Sequence, residues 1–137
     1  MEITVLHLTG WAGTGKTTLL QKFSAENPGS IQILTPESSG QMFDPSAADL
    51  VSHSAVAIDD VPSWDRASVA QGIASLEVSA EQCGKKLILV SQAQQDLDRS
   101  GVVLRKAPAI MRLGGQQQTL SLSYDGQHLS FADAQAN

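Results

Sequence analysis

Ile3-Thr4-Val5-Leu6-His7-Leu8-Thr9 runs straight into Gly10-Trp11-Ala12-Gly13-Thr14-Gly15-Lys16-Thr17-Thr18. The first part clusters apolar side chains as a buried strand does. The second satisfies G-x-x-x-x-G-K-[ST] in full. After it, Leu19, Leu20 and Phe23 fall at helical spacing until Asn27-Pro28-Gly29 breaks the pattern. Strand, glycine-rich turn and helix in this order make a phosphate cradle. The glycines let successive N–H groups turn inward, and the positive end of the new helix faces the same anion. Lys16 then supplies a point charge to the β- and γ-phosphates, the Thr17 hydroxyl ligates magnesium, and Thr18 reaches the α-phosphate. Gly10 to Thr18 therefore form the expected nucleotide-binding set. Trp11 occupies a loop position open to any side chain, for packing or for stacking on a base or partner.

Outward from this stretch, the same alternation of strand and helix continues. Ile31–Leu34 reads as a second strand, and Asp44-Pro45 as the cap and first residue of a short helix. Ser54–Ile58 reads as a third strand and Lys86–Ser91 as a fourth, covered on both faces. Ala109–Leu113 gives a fifth. Ser63 is the expected cap of a helix with Val69, Ile73, Leu76, Ala80 and Cys83 on its apolar face and Gly84 as its stop. Thr119–Tyr124 and Gln127–Phe131 flank Asp125-Gly126, the signature of a hairpin with a two-residue turn. The expectation is an α/β domain over residues 1–131, a mostly parallel sheet with helices on both faces and a C-terminal β-hairpin. Residues 132–137 read as a flexible tail.

Ligands in such sheets bind at the carboxyl ends of the strands, and the remaining polar motifs lie there. Val56-Ala57-Ile58 ends in Asp59-Asp60. Asp59 is the candidate for the magnesium shell, since magnesium takes oxygen ligands and keeps several waters. Asp60 is the candidate general base for an attacking water. The alternative for both is a helix cap or a solvated turn. Gln92 follows the fourth strand. If that strand lies between those carrying Gly10 and Asp59, the Gln92 amide reaches the γ-phosphate, with Ser91 as the fallback and a plain turn as the alternative.

The bulk properties bound the rest. The chain has 137 residues, 42 % apolar and 17 % charged, which suits one globular domain. One cysteine, Cys83, allows no internal disulfide and fits a reducing, cytoplasmic setting. Leu87–Val90 is too short to cross a bilayer. The net charge of -5 speaks against a generally basic nucleic-acid binder. Yet six of the nine Lys and Arg lie between positions 85 and 112, opposed only by Asp96 and Asp98. That segment is either a solvated surface or a patch facing phosphate or a neighbouring subunit. His7, His53 and His128 have no partner at metal-ligand spacing and read as structural.

Gly10–Thr17, Ile58-Asp59-Asp60 and Val90-Ser91-Gln92 together resemble the RecA-like, additional-strand branch of P-loop ATPases. From Lys86 to Leu113 the chain has an apolar strand, Ser-Gln, Asp96-Leu97, Ser100-Gly101-Val102-Val103 and a return strand Ile110-Met111-Arg112-Leu113. This order resembles the FtsK–HerA motors of conjugation, phage packaging and phage assembly, in which Glu is usual where this chain has Asp60. The resemblance implies a RecA-like fold, binding and hydrolysis of ATP with Mg2+, and a homo-oligomeric ring acting on DNA or DNA-processing proteins. It also implies a trans arginine, for which Arg99, Arg105 and Arg112 are candidates, with Arg105 favoured by its loop position. Two alternatives stand beside the motor. One is an AAA+-like loader or initiator ATPase, against which the strand-rich C-terminus counts. The other is an ATP-dependent interaction module with little turnover, for which Asp60 and the acidic pI speak. No Asn-Lys-x-Asp guanine motif occurs, which disfavours a GTPase; the paired acids and the lack of an arginine-rich lid disfavour a small-molecule kinase.

Overall fold

The computed structural model describes residues 3–11, 15–113 and 120–133. Five parallel strands form the central sheet: β1 (Val5–Thr9), β2 (Ile31–Leu34), β3 (Ala55–Ile58), β4 (Lys86–Val90) and β5 (Ala109–Arg112). Their order across the sheet is β2-β3-β4-β1-β5. In β1, β3 and β4 every residue is buried, as strands covered on both faces require. The condition set on Gln92 holds, because β4 pairs with β1 on one side and with β3 on the other.

Two apolar layers cover the sheet. On one face α2 (Arg66–Cys83) sets Val69, Ile73 and Leu76 against Val5, Ile58, Leu87 and Leu89. On the other, α1 (Lys16–Glu26) brings Leu19, Leu20 and Phe23 onto Leu6, Leu8, Ala55, Ala57, Ile88 and Val90. The second layer is completed by a separate two-stranded antiparallel sheet, β6 (Leu120–Tyr124) and β7 (Leu129–Asp133), whose Leu122, Tyr124, Leu129 and Phe131 join the α1 side. The hairpin thus packs onto a face of the sheet instead of extending its edge. It is anchored there by the Ser54 hydroxyl, which donates to the Gln127 carbonyl at 2.7 Å.

Four expectations need correction. The hairpin turn has four residues, not two, because Tyr124 pairs with Leu129. The Asp125 carboxylate accepts from the N–H groups of Gln127 and His128 at 2.9 and 2.7 Å, which rounds the chain through two extra residues. In consequence β7 runs to Asp133, and the boundary drawn at 131 falls inside a strand. Asp65, not Ser63, caps α2, accepting from Ser68 N–H at 3.0 Å, since Val61–Ser63 are already taken by a 3-10 turn. Cys83 is exposed, and the buried face of α2 includes Glu77 instead. Asp44 does cap the short 3-10 turn Pro45–Ala47, and Gly84 ends α2 in the left-handed conformation. Among the described residues, no helix is long and apolar enough to cross a membrane.

Candidate functional site

The carboxyl ends of β1, β3 and β4 converge on a cavity of about 320 Å³. Its walls come from Lys16, Thr17 and Thr18 at the start of α1, Asp59 and Asp60 after β3, and Gln92 after β4. Ala12, Gly13 and Thr14 lie outside the described residues. Gly15 is the turning point into α1, with φ 91° and ψ 23°. A side chain there would meet no neighbour, so only the backbone conformation demands glycine. The Lys16 ammonium reaches back to the carbonyls of Gly10 and Trp11 at 2.5 and 3.0 Å. These contacts hold the cation at the mouth of the loop, where a phosphate oxygen would replace carbonyl oxygens as its partner.

Asp59 is the most constrained group in the site. It is buried, and its carboxylate accepts from the Thr17 hydroxyl at 3.1 and 3.2 Å and from the Thr35 hydroxyl at 3.4 Å. Its N–H donates to the Leu34 carbonyl, and its own carbonyl takes the indole N–H of Trp64 at 2.8 Å. Trp64 is in turn fixed by an edge-to-face contact with Phe43, ring centroids 5.1 Å apart. Phe43 fits because α2 carries Gly72 beneath it: a Cβ at that position would come within 2.3 Å of the ring. A hydroxyl and a carboxylate side by side are hard oxygen donors and suit magnesium, which needs only one or two side chains beside water and phosphate. Thr17 and Asp59 would hold it. Among the described residues no group of three His, Cys, Asp or Glu offers a denser site.

Asp60 is built differently. It is exposed and has φ 49° and ψ 61°, the only positive φ at a non-glycine among the described residues. Its carboxylate accepts from the Ser63 hydroxyl at 2.6 Å. Both halves of the expected acid pair therefore reach the cavity, one locked from several directions and the other held by a single short contact.

The end of β4 is pinned to the same assembly. The Gln92 carbonyl accepts from Gly10 N–H at 3.1 Å, and its N–H is held by the Asp96 carboxylate. Behind it, Ser91 is buried, and its hydroxyl donates to the Ala93 carbonyl at 2.9 Å. With its one proton used there, the oxygen accepts from Nε2–H of His7 at 2.6 Å, which fixes the neutral imidazole in that tautomer. Burial pushes His7 down to about 4, with the Asp96 carboxylate acting weakly in the opposite direction. His7 is structural, as expected, but its structure is that of the site.

Arg105 does not line the cavity. Its backbone N–H donates to the buried carboxylate of Glu77 at 2.8 Å, and its side chain is exposed. Gly10 and Trp11 face an adjoining cavity rather than this one. Thr35, Trp64 and Glu77 were not singled out in the sequence, and Ser63 was read only as a helix cap. Glu77 alone carried a signal, as a carboxylate set four residues after Ile73 inside an otherwise apolar stripe. No protein-family model matches the chain, and no curated protein matches it.

Proposed function

We propose that the chain is a small P-loop ATPase of RecA-like architecture, binding and hydrolysing ATP with Mg2+ to power or regulate the movement of DNA. The observation that carries this reading is the convergence of Lys16, Thr17, Asp59, Asp60 and Gln92 on one cavity at the carboxyl ends of three adjacent strands. The motif alone required only Lys16 and Thr17 to be neighbours. The strand order β2-β3-β4-β1-β5, with an extra strand between the loop strand and the acid strand, supports the additional-strand branch. In such a site Lys16 would bind the β- and γ-phosphates, Asp60 would orient and deprotonate water, and the Gln92 amide would sense the terminal phosphate. Bound magnesium would neutralise phosphate charge as it develops. Arg105, exposed and away from its own chain's cavity, fits a role across a subunit boundary in a homo-oligomer.

A second reading, a nucleotide-dependent interaction module with low turnover, is favoured by one observation. The candidate base Asp60 is already engaged by Ser63. The test common to both is ATP binding and ADP release by the wild type and by Lys16→Ala. Removing the ammonium should lower turnover by roughly 100-fold or more while circular dichroism stays unchanged. A parental rate in Lys16→Ala sinks both readings; tight ATP binding with negligible wild-type turnover selects the second.

A further inference from the structure

On the far side of the loop strand lies a second cavity, of about 400 Å³. It is built from the ends of β1, β4 and β5, and its chemistry is unlike that of the phosphate site. Leu6 and Leu8 of β1 face α1, so by alternation Thr9 faces the other side of the sheet. Met111 of β5 likewise faces α1, which sends Arg112 the same way as Thr9. The two residues are direct partners in the parallel ladder. Around them stand Trp11, Gln92, Gln94 and Gln95.

Three features of this cavity ask for a ligand. Thr9 is 2 % exposed, yet its hydroxyl has no hydrogen-bond partner among the described residues, a state that buried polar groups avoid. The Arg112 guanidinium is exposed and meets the Gln94 amide oxygen at 3.5 Å, and among the described residues no carboxylate lines the cavity beside it. Trp11 is 77 % exposed at the rim, a large aromatic surface presented to solvent by a loop. One cation, an aromatic face, three glutamine amides and an open hydroxyl are the recognition groups for an unpaired nucleotide. The ring stacks on the base, the guanidinium takes the phosphate, and the amides and hydroxyl pair with base or sugar edges. The volume lies in the range that encloses a ligand of this size.

We propose that this cavity receives a nucleotide of a single-stranded nucleic acid, its base stacked on Trp11 and its phosphate held by Arg112. The inference rests on the reading of the chain as an ATPase acting on DNA, and it names the strand form and the residues that grip it. Gln92 lines both cavities, and its carbonyl holds Gly10 N–H. A strand seated at Trp11 is therefore one residue from the group that faces the terminal phosphate. The net charge of -5 does not oppose this, since the charged residue lining the cavity is the cation Arg112. Only a short stretch of strand would touch it.

The test is fluorescence anisotropy of labelled oligo-dT and oligo-U of about 16 nucleotides, the upper end of a single-domain footprint, at low salt and without ATP. Omitting ATP separates this inference from the P-loop reading, because oligonucleotide binding by the wild type is then read whether or not the chain binds ATP. Trp11→Ala should weaken binding roughly 5- to 100-fold, and Trp11→Phe should restore most of it. Arg112→Gln should weaken binding and lower the slope of log affinity against log salt by about 0.7, the contribution of one phosphate contact on a single strand. A preference for dT or for U, which differ in both the sugar and the C5-methyl group, supports the site. Equal or tighter binding of a duplex of the same length overturns it, as does wild-type affinity in both Trp11→Ala and Arg112→Gln, or no binding at all. So does concentration-dependent self-association lost in Trp11→Ala, which would make the cavity a contact between copies of the chain.

Discussion

Two turns leave the sheet on either side of β4, and both need a residue in the left-handed conformation. After β1 that residue is Gly15, φ 91°; after β3 it is Asp60, φ 49°. Glycine enters this region freely, whereas a residue with a Cβ is strained there by about 1–2 kcal/mol. The first turn uses its permissive residue to enter α1 at Lys16. The second cannot use glycine without losing its carboxylate, so the strain stays at Asp60, the residue proposed to act as the base. Immediately before it, Asp59 follows the last residue of β3 and has four hydrogen-bonding partners, Thr17, Thr35, Leu34 and Trp64. One acid is made immobile and the other is left on a strained hinge.

The largest expected effect separates these two acids. Asp60→Asn keeps the shape and the Ser63 contact but cannot take a proton, so turnover should fall about 10² to 10⁴-fold with ATP affinity retained. Asp59→Asn should leave turnover recoverable at high magnesium and shift the magnesium requirement upward. Titrations of ATP at several magnesium concentrations distinguish them. Equal loss of ATP affinity in both variants means the two acids do one job, and the division drawn from their geometry is wrong.

The strand that leads into the first turn, β1, offers the next effect, on stability. His7 is neutral when folded because burial holds it near 4, against 6.5 in the unfolded chain. Between those values the unfolded state binds the extra proton, so the contribution is complete above about pH 6.5 and is lost as the pH falls toward 4. Between about pH 7 and pH 4.5 the loss should reach about 2–3 kcal/mol. His7→Gln should flatten the dependence in that window while lowering stability at neutral pH. Urea midpoints across the range measure it. Parallel curves for the two proteins would show that the imidazole is not what titrates.

Much of this was legible in the sequence, and the limit has a physical cause. Continuous apolar runs marked the strands buried on both faces, whereas the position of β4 between the strands carrying Gly10 and Asp59 stood only as a condition, which the structure meets. Lys16, Thr17, Asp59, Asp60 and Gln92 were each found because a strand end and a local pattern place them. The contacts that tune them are of another kind. Trp64 on the Asp59 carbonyl, Thr35 on its carboxylate and His7 on Ser91 join residues from different elements. Such pairings leave no period or spacing along the chain. The hairpin register and the α2 cap failed for a related reason: in each case a side chain, Asp125 or Asp65, bonded backbone N–H groups and moved the boundary. Several equivalent polar residues were in reach, and only the packed chain chooses among them.

The smallest effect bears on the hinge itself. Ser63 sits in the 3-10 turn that Asp60 opens, and its hydroxyl donates to the Asp60 carboxylate at 2.6 Å. That oxygen is then occupied, and the side chain is drawn toward the turn. Ser63→Ala removes the donor without touching the cavity wall, since Ser63 does not line it. A partly exposed hydrogen bond of this kind contributes about 0.5–1.5 kcal/mol, so the variant should be slightly less stable. If the contact restrains the carboxylate in the left-handed hinge, the same energy is released to the reacting conformation, and turnover should rise by roughly 2- to 10-fold. Asp60→Asn placed on top of Ser63→Ala should erase the gain, because it acts only through that carboxylate. A fall in turnover gives the opposite assignment: Ser63 then aims Asp60 at its water, and the strained turn is the working geometry rather than a resting one. Steady-state rates of the two single variants and the double variant, read beside their urea midpoints, decide between a hinge that must open and one that is already set.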